Sequence, residues 1–446
     1  MDLCFRLPPP PDSTRLRPTV WLWVVGIAFI FFVNVAEGRV VRGADDVPRV
    51  VFQGSLALPE RAPDAEGDDV VVTGLSGIAW LGDDRYVAVM DNSDHLILFR
   101  LTLSQAGKPL AVADLRVVTV SERHDYEDVI PCPPPVADAL GRRPRSEPSA
   151  GGRSDDPADD APTAAADDGP AAGHVLLCEE DTPAIRGFSL ADGNGIGVVP
   201  LPDNLHGRRP NRGLESLALD PGGRFVWTAN EEALAADGPS AAKGGGTVVR
   251  LTRIPLPASP PAAVALPDAA PPDAAAPGEE GARRTLQIAY GVDPVHEFLP
   301  VFPGDPLSGV SALVALGDGR LLVLERSGAA GLPPFASRIY LVDVAAAIDV
   351  SAVERDLSTR KDALVAKRLL WSDSLGVNLE GLCSGPRLAN GDVALVGVAD
   401  NGGIGTPNQL VGLTLEAPAP RLDPAVLGAV AALVAVAIVV GRLTSP

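Results

Sequence analysis

The chain has 446 residues and a formal net charge of −20 at pH 7, so its surface field repels polyanions and argues against a nucleic-acid partner. Hydrophobic residues make up 46% of the sequence, which allows a sizeable core and rules out wholesale disorder. The 46 glycines and 44 prolines argue against a helical bundle and predict many turns, long unfolded inserts, or both.

The N-terminal residues have the features of a secretory signal. An uncharged apolar run occupies residues 20–33, three arginines precede it, and a small-x-small cleavage pattern ends at Gly38. This arrangement predicts a signal peptide over residues 1–38. An uncleaved N-terminal anchor is the alternative, because the apolar run is slightly long for a signal.

A second apolar run lies near the C-terminus, at residues 425–441. It has no charge and no internal proline, and it reaches the lower limit of length for a spanning helix. We predict a transmembrane helix over residues 424–441 and a short tail over 442–446, with a buried core helix as the alternative. The body at residues 39–423 is then membrane-anchored and extracytoplasmic, at the cell envelope, with the membrane as a partner through the C-terminal helix.

Two stretches lack the apolar residues that a packed structure needs. Residues 131–173 are rich in Asp, Pro, Ala and Gly, and residues 257–284 are rich in Pro and Ala. Neither buries enough apolar area to offset the cost of ordering the chain, so both are predicted to be disordered inserts. Cys132 and Cys178 are the candidate disulfide, because both flank the first insert. The absence of a C-x-x-C pair argues against a zinc module.

Short runs of Val and Leu between turn residues predict β-strands in the rest of the body. One phrase, a strand followed by a tight turn and a second strand, recurs five times. The copies span residues 74–92, 125–181, 213–231, 309–326 and 378–401. The second copy is interrupted by the first insert, and a third strand follows several of the copies.

Repeats of three or four short strands are typical of β-propeller blades. We predict an all-β propeller with six blades, within an error range of five to seven. The sixth blade would combine residues 50–58 or residues 115–120 with neighbouring strands. An open solenoid is the alternative, because it stacks similar repeats without closing them into a ring.

The phrases share polar residues at two places. The first place, at the start of the inner strand, holds Ser76, Glu127, Glu215, Ser311 and Glu380. The second place, at the end of the next strand, holds Asp91-Asn92, Glu179-Glu180, Asn230-Glu231, Glu325-Arg326 and Asp400-Asn401. Because inner strands converge on a propeller axis, we expect these side chains to form a ring at one mouth. Turn hydrogen bonds and caps are the alternative role for such residues.

A ring of carboxylates stays ionised only if a cation or an arginine lies among them. Oxygen ligands of this kind suit Ca²⁺, so Ca²⁺ is the expected cofactor. The candidate metal ligands are Asp91, Glu180, Glu231 and Asp400. The candidate catalytic residues are Glu215 and Glu380, as base or ligand, and Arg326, as an anion clamp. An ion pair within the protein is the alternative role for Arg326. The sequence contains neither a G-x-S-x-G nucleophile elbow nor a phosphate-binding P-loop.

The phrases resemble the phytase-like domain family, also described as "esterase-like activity of phytase". Residues 211–234, 309–327 and 378–382 are the main carriers of the resemblance, which covers about residues 50–415 apart from the inserts. The resemblance implies an exported propeller that hydrolyses phosphate esters or carboxylic esters. We therefore expect a metal-assisted hydrolase of a small anionic or ester substrate. The alternative is a non-catalytic propeller that binds a ligand or a protein at the cell envelope.

Overall fold

The structure is a computed structural model that describes residues 47–141, 173–257, 284–373, 377–400 and 407–418. In these ranges the chain forms five four-stranded antiparallel sheets and two short two-stranded sheets. The inner strands of the five sheets contact one another in a closed ring. The fold is therefore an all-β propeller, as the repeated phrases predicted.

The elements follow one another in chain order from the first strand to the last blade. The N-terminal strands are β1 (Arg49–Ala57), β2 (Arg61–Pro63) and β3 (Asp69–Val71). The first blade contains β4 (Leu75–Gly82), β5 (Arg85–Met90), β6 (His95–Leu103) and β7 (Pro109–Thr119). The second contains β8 (Tyr126–Cys132), helix α1 (Pro134–Gly141), β9 (His174–Glu179), β10 (Ala184–Ser189) and β11 (Gly195–Val199).

The remaining blades repeat this plan. The third follows a 3₁₀ turn (Asp203–Gly207) and contains β12 (Leu214–Leu219), β13 (Phe225–Asn230), β14 (Thr247–Pro255) and β15 (Leu286–Val292). The fourth region contains β16 (Leu299–Pro300), β17 (Leu307–Ala315), β18 (Arg320–Gly328), β19 (Gly331–Leu332), β20 (Phe335–Asp343), 3₁₀ turns at Leu357–Thr359 and Lys361–Ala363, and β21 (Lys367–Asp373). The fifth contains β22 (Asn378–Arg387), β23 (Val393–Asp400) and β24 (Gln409–Glu416).

The propeller has five blades, so the prediction of six was wrong. The fifth sheet has the order β22, β23, β24, β1, and its outer strand therefore comes from the start of the body. Residues 50–58 complete this sheet instead of beginning another blade. Residues 115–119 belong to the outer strand of the first blade, β7. An outer strand taken from the other end of the chain carries no copy of the phrase, and this is why the repeat alone left the blade number open.

Apolar packing between neighbouring blades holds the ring together. The five larger buried clusters each join two adjacent sheets, including the last sheet to the first. Leu75 of the first blade, for example, is in the same cluster as Val398 and Leu410 of the fifth. Burial of apolar area is the main favourable contribution to folding, so closing the ring also completes the core.

The first insert was predicted to start too early in the chain, at residue 131. Pro131 and Cys132 complete β8, and α1 follows with Val136 and Ala137 buried between the second and third blades. This short amphipathic helix was not predicted, because the composition of residues 131–173 was considered as a whole and the apolar residues at its start were averaged with the polar ones that follow. The rest of that insert and residues 258–283 of the second lie outside the described residues.

The predicted disulfide between Cys132 and Cys178 is also wrong, because both are free thiols. Cys132 pairs with His174 in the β8–β9 ladder, whereas Cys178 pairs with Asp128. The two cysteines are thus four residues apart along the ladder, roughly 13 Å at the usual strand rise. A disulfide needs Cα atoms within about 7 Å.

Within the described ranges, no helix has the length and apolar character needed to cross a bilayer. The two predicted membrane-associated segments, residues 1–38 and 424–441, both lie outside these ranges.

Candidate functional site

Every inner strand carries a β-bulge at the residue that the sequence phrase repeats. The pairing of each inner strand with its neighbour skips one or two residues near its start. The skipped polar residues are Ser76, Glu127, Glu215, Ser311 and Glu380. A bulge leaves its extra residue outside the hydrogen-bonded ladder and changes the direction of the side chain. The first repeated place of the phrase is therefore a bulge position in all five blades.

The second repeated place is equally regular. In each blade, the residue just before the bulge pairs with a residue on the adjacent strand. The residue that follows this partner in the chain occupies the second place. These residues are Asp91, Glu180, Glu231, Arg326 and Asp400. Each blade thus contributes one residue to a first ring, at the bulges, and one residue to a second ring, at the end of the adjacent strand.

The two rings enclose a cavity of about 170 Å³ at one mouth of the propeller. Among the described residues, seven carboxyl groups line it, those of Asp91, Asp125, Glu127, Glu180, Glu215, Glu380 and Asp400. Arg212 and Arg326 are the two cationic residues in this described lining. Of the other ring members, Ser76 lines the cavity, Ser311 is buried away from it, and Glu231 lies behind it in contact with both arginines. The structure thus brings six of the seven predicted site residues to the cavity wall and places the seventh directly behind it.

Within the described ranges, two groups of carboxyl oxygens are close enough to share a cation. Asp91, Asp125 and Glu127 form one triad, in which one oxygen from each residue lies within 4.8 Å of the others. Glu127, Glu180 and Glu215 form a second triad by the same measure. Glu127 belongs to both triads, so two ion positions at this mouth would be adjacent and share one ligand.

Four carboxyl groups of the cavity, those of Asp91, Glu127, Glu180 and Glu215, are hard to ionise without a cation. Burial, followed by the hydrogen bond and charge of Asp125, raises the pKa of Asp91 to about 7. Burial also raises the pKa of Glu180 to about 7, although the backbone N–H of Gly213 opposes the shift. Burial and the neighbouring carboxylates hold the pKa values of Glu127 and Glu215 well above their ordinary range. The cause in each case is charge placed in a buried acidic site.

Arg326 lies between two glutamates of different blades. Its Nη2 donates to Oε1 of Glu231 at 2.5 Å, and its Nη1 donates to Glu380. Burial opposes the charge on Arg326, but Glu380 and Glu231 outweigh that effect and hold its pKa well above the ordinary value. Burial raises the pKa of Glu380 to about 7, although Arg326 opposes the shift. Arg326 therefore neutralises part of the ring, as in the alternative role of an internal ion pair.

The chemistry of the cavity fits a hard divalent cation. Oδ1 of Asp125 is buried, and within the described part of the chain no donor reaches it by a hydrogen bond. In the part of the lining that the structure describes, seven carboxyl groups face two arginines, so acidic groups outnumber basic ones. Ca²⁺ accepts six to eight oxygen ligands with flexible geometry. Asp91, Asp125, Glu127, Glu180 and Glu215 are the residues that would hold it.

Sequence reasoning assigned no role to Asp125, Glu127 or Arg212. Asp125 occupies the phrase position that holds Gly74 and Gly213 in other copies. An acidic residue where other copies have glycine was the sequence feature that could have pointed to a role for Asp125. Glu127 was predicted to belong to the first ring but was given no function. Its position in the repeat does not show that it lies close enough to two groups of carboxylates to belong to both triads.

The fold and the site together define a closed five-bladed propeller with a carboxylate-lined mouth. The family described as "Phytase-like: Esterase-like activity of phytase" matches residues 70–403, and the chain belongs to this family. This confirms the resemblance inferred from the phrases. No curated protein gives a significant match.

Several solved structures are weakly similar to the chain. An endo-arabinase from Bacteroides thetaiotaomicron is 11% identical, with 84% of this chain and 98% of that chain covered and a TM-score of 0.36. A PQQ-bound aldose sugar dehydrogenase from Streptomyces coelicolor is 12% identical, with 81% and 98% covered and a TM-score of 0.31. The Dos1 propeller is 8% identical, with 79% and 71% covered and a TM-score of 0.28. Scores this low carry no argument about fold or activity.

Proposed function

We propose that this protein is a hydrolase of small phosphate esters that depends on a divalent cation, Ca²⁺ being the cation that the ligand set suits best. The observation that carries the proposal is the pair of carboxylate triads that share Glu127. The cavity is smaller than the roughly 300–1,000 Å³ of pockets for drug-sized ligands. Its size suits ions, waters and a group as small as a phosphoryl.

The proposed roles divide the carboxyl groups of the cavity into two sets. Bound cations would neutralise the oxygens of the phosphoryl group and lower the pKa of a bound water. Asp91, Glu180 and Glu215 belong to the triads and would hold the cations, with Asp400 in the cavity wall as a further ligand. Glu380 lies outside both triads and has a pKa of about 7, which suits a general base near neutral pH. An anion-clamp role for Arg326 stays a prediction, and Glu231 supports the site through that arginine.

A comparison of wild type with Glu127→Gln tests the proposal. We expect Ca²⁺ to raise the melting temperature of the wild-type protein by several degrees over the value in EDTA, because a ligand that binds the folded state stabilises it. In Glu127→Gln both triads lose a ligand, so the Ca²⁺ effect disappears and hydrolysis of p-nitrophenyl phosphate falls at least about 100-fold.

Glu297→Gln is the matched control. Glu297 is an exposed glutamate outside the cavity, paired with Lys243, and its variant keeps wild-type behaviour. Stabilisation by Ca²⁺ without turnover of either p-nitrophenyl phosphate or p-nitrophenyl acetate supports the non-catalytic binding propeller instead. If Ca²⁺ does not change the melting temperature of the wild-type protein and neither ester is hydrolysed, the cation site itself is contradicted.

We also propose, from the apolar runs at residues 20–33 and 425–441, that the protein is exported and anchored in a membrane. The full chain is expected in the membrane fraction of the expressing cell, and a chain that ends at residue 423 is expected to leave it. Recovery of both forms in the soluble fraction would contradict the proposal that the C-terminal segment is a membrane anchor.

A further inference from the structure

Arg212 stands in a tight turn at the rim of the acidic cavity. The backbone N–H of Arg212 donates to the carbonyl of Arg209 at 3.2 Å. Pro210 and Asn211 occupy the two central positions, and Asn211 has a positive φ of 54°. Proline at the second position and asparagine with positive φ at the third are what a type II turn favours. The sequence Arg-Pro-Asn-Arg thus fixes where the last arginine emerges.

The base of this turn is fastened to two other parts of the protein. Nη2 of Arg209 donates to the carbonyl of Gly238 at 2.6 Å, and its Nε donates to that of Ala233 at 3.2 Å. Nε of Arg208 donates to the carbonyl of Asp181 at 3.0 Å. These contacts hold the turn before any ligand arrives, which reduces the entropy lost on binding.

Arg212 keeps part of its guanidinium available to a ligand. Its Nε lies 3.1 Å from Oε2 of Glu231 and 3.7 Å from Oε1 of Glu232, and its Nη1 donates to the carbonyl of Asn211. Among the described residues, Nη2 donates no hydrogen bond, and the side chain is 27% exposed while lining the cavity. Arg326, by contrast, has both terminal nitrogens engaged by glutamates.

We infer that Arg212 is an anion-binding residue of this site and that it receives the phosphoryl group of the substrate beside the cation positions. The inference rests on the proposed function and names the contact that selects an anionic substrate. Arg212 directly precedes Gly213, whose N–H donates to Oε1 of Glu180, a member of the second triad. A phosphoryl group bound by Arg212 is therefore adjacent to that triad. Arginine suits this task because its planar guanidinium can donate two hydrogen bonds to phosphate oxygens.

Titration of inorganic phosphate into the Ca²⁺-loaded protein tests the inference. We expect Arg212→Gln to weaken phosphate binding by about 10- to 100-fold, the usual effect of losing hydrogen bonds to a charged group. Arg212→Lys keeps the charge but loses the planar fork, so its phosphate affinity falls by an intermediate factor. The rise in melting temperature caused by Ca²⁺ without phosphate persists in both variants, because Arg212 is not a cation ligand.

Arg320→Gln is the control, since Arg320 has a similar side-chain exposure of 30% and pairs with Asp318 at the start of β18, away from the cavity. Wild-type phosphate affinity in Arg212→Gln overturns the inference, and so does a wild-type protein that binds no phosphate. If the Gln variant does not fold, an unchanged affinity in Arg212→Lys overturns it. A missing Ca²⁺ effect in the wild-type melt counts against the proposed function, so the two failures are distinguishable.

Discussion

Replacing Arg326 with methionine is expected to lower the free energy of unfolding by about 3–5 kcal/mol in EDTA at pH 8. The substitution leaves Glu231 and Glu380 close together in a buried position without the guanidinium that now lies between them. Removal of one partner from a buried ion pair is far more costly than removal of both, because the remaining charge has lost its solvent and its counter-ion. Urea unfolding of wild type and variant measures the difference.

Two further measurements separate charge from packing in this variant. The surface control Arg320→Met removes an arginine of an exposed pair and is expected to cost no more than about 1 kcal/mol. The double variant Arg326→Met with Glu231→Gln removes a remaining charge and is expected to recover part of the lost stability. A loss below about 1 kcal/mol for Arg326→Met would show that Arg326 is not a structural counter-charge.

The metal-free protein is expected to lose stability as the pH rises from about 4.5 to above 7. Asp91, Glu180 and Glu380 have folded-state pKa values of about 7, against ordinary values of 3.8 for Asp and 4.5 for Glu. In this interval the folded protein retains protons that the unfolded chain has already released, so a rise in pH favours unfolding. The stabilisation is complete below the unfolded pKa values and is lost as the pH rises through the folded ones.

Calcium should reverse this trend, because its ligands bind it in their deprotonated form. Melting temperatures recorded in EDTA and in Ca²⁺ across the same pH series are therefore expected to diverge above about pH 7. In Glu127→Gln the EDTA curve becomes flatter, since one source of repulsion is gone. Parallel curves in EDTA and Ca²⁺ would contradict the cation site, and an EDTA curve that rises with pH would contradict the raised pKa values.

Much of the site could be predicted from the sequence, because residues at the same spacing within each repeat occupy equivalent positions in each propeller blade. Ser76 and Asp91 are 15 residues apart, and so are Ser311 and Arg326. The same strand–turn–strand unit thus places the same two sites in each blade. The structure adds the physical means, a bulge at each first site, which turns a strand residue towards the mouth.

The partners across blades were not accessible in the same way. Arg326 meets Glu231 and Glu380, which belong to the third and fifth blades, and no local pattern encodes which neighbours a side chain contacts. Asp125 was missed for a related reason, because its phrase was split by an insert and its position holds glycine elsewhere. The blade number failed because the closing strand is far from its own sheet in the chain.

That closing strand has a consequence for the order of synthesis. Nε2 of Gln53 in β1 donates to Oγ1 of Thr414 in β24 at 2.9 Å, and 361 positions separate these residues. The sheet that supplies Glu380 and Asp400 therefore cannot assemble until nearly the whole body has been translated. Contacts this distant slow folding and leave early intermediates with unpaired strand edges. Nascent chains that stop within the fourth blade would lack a finished pocket, so the acidic mouth is among the last features of the molecule to acquire its shape.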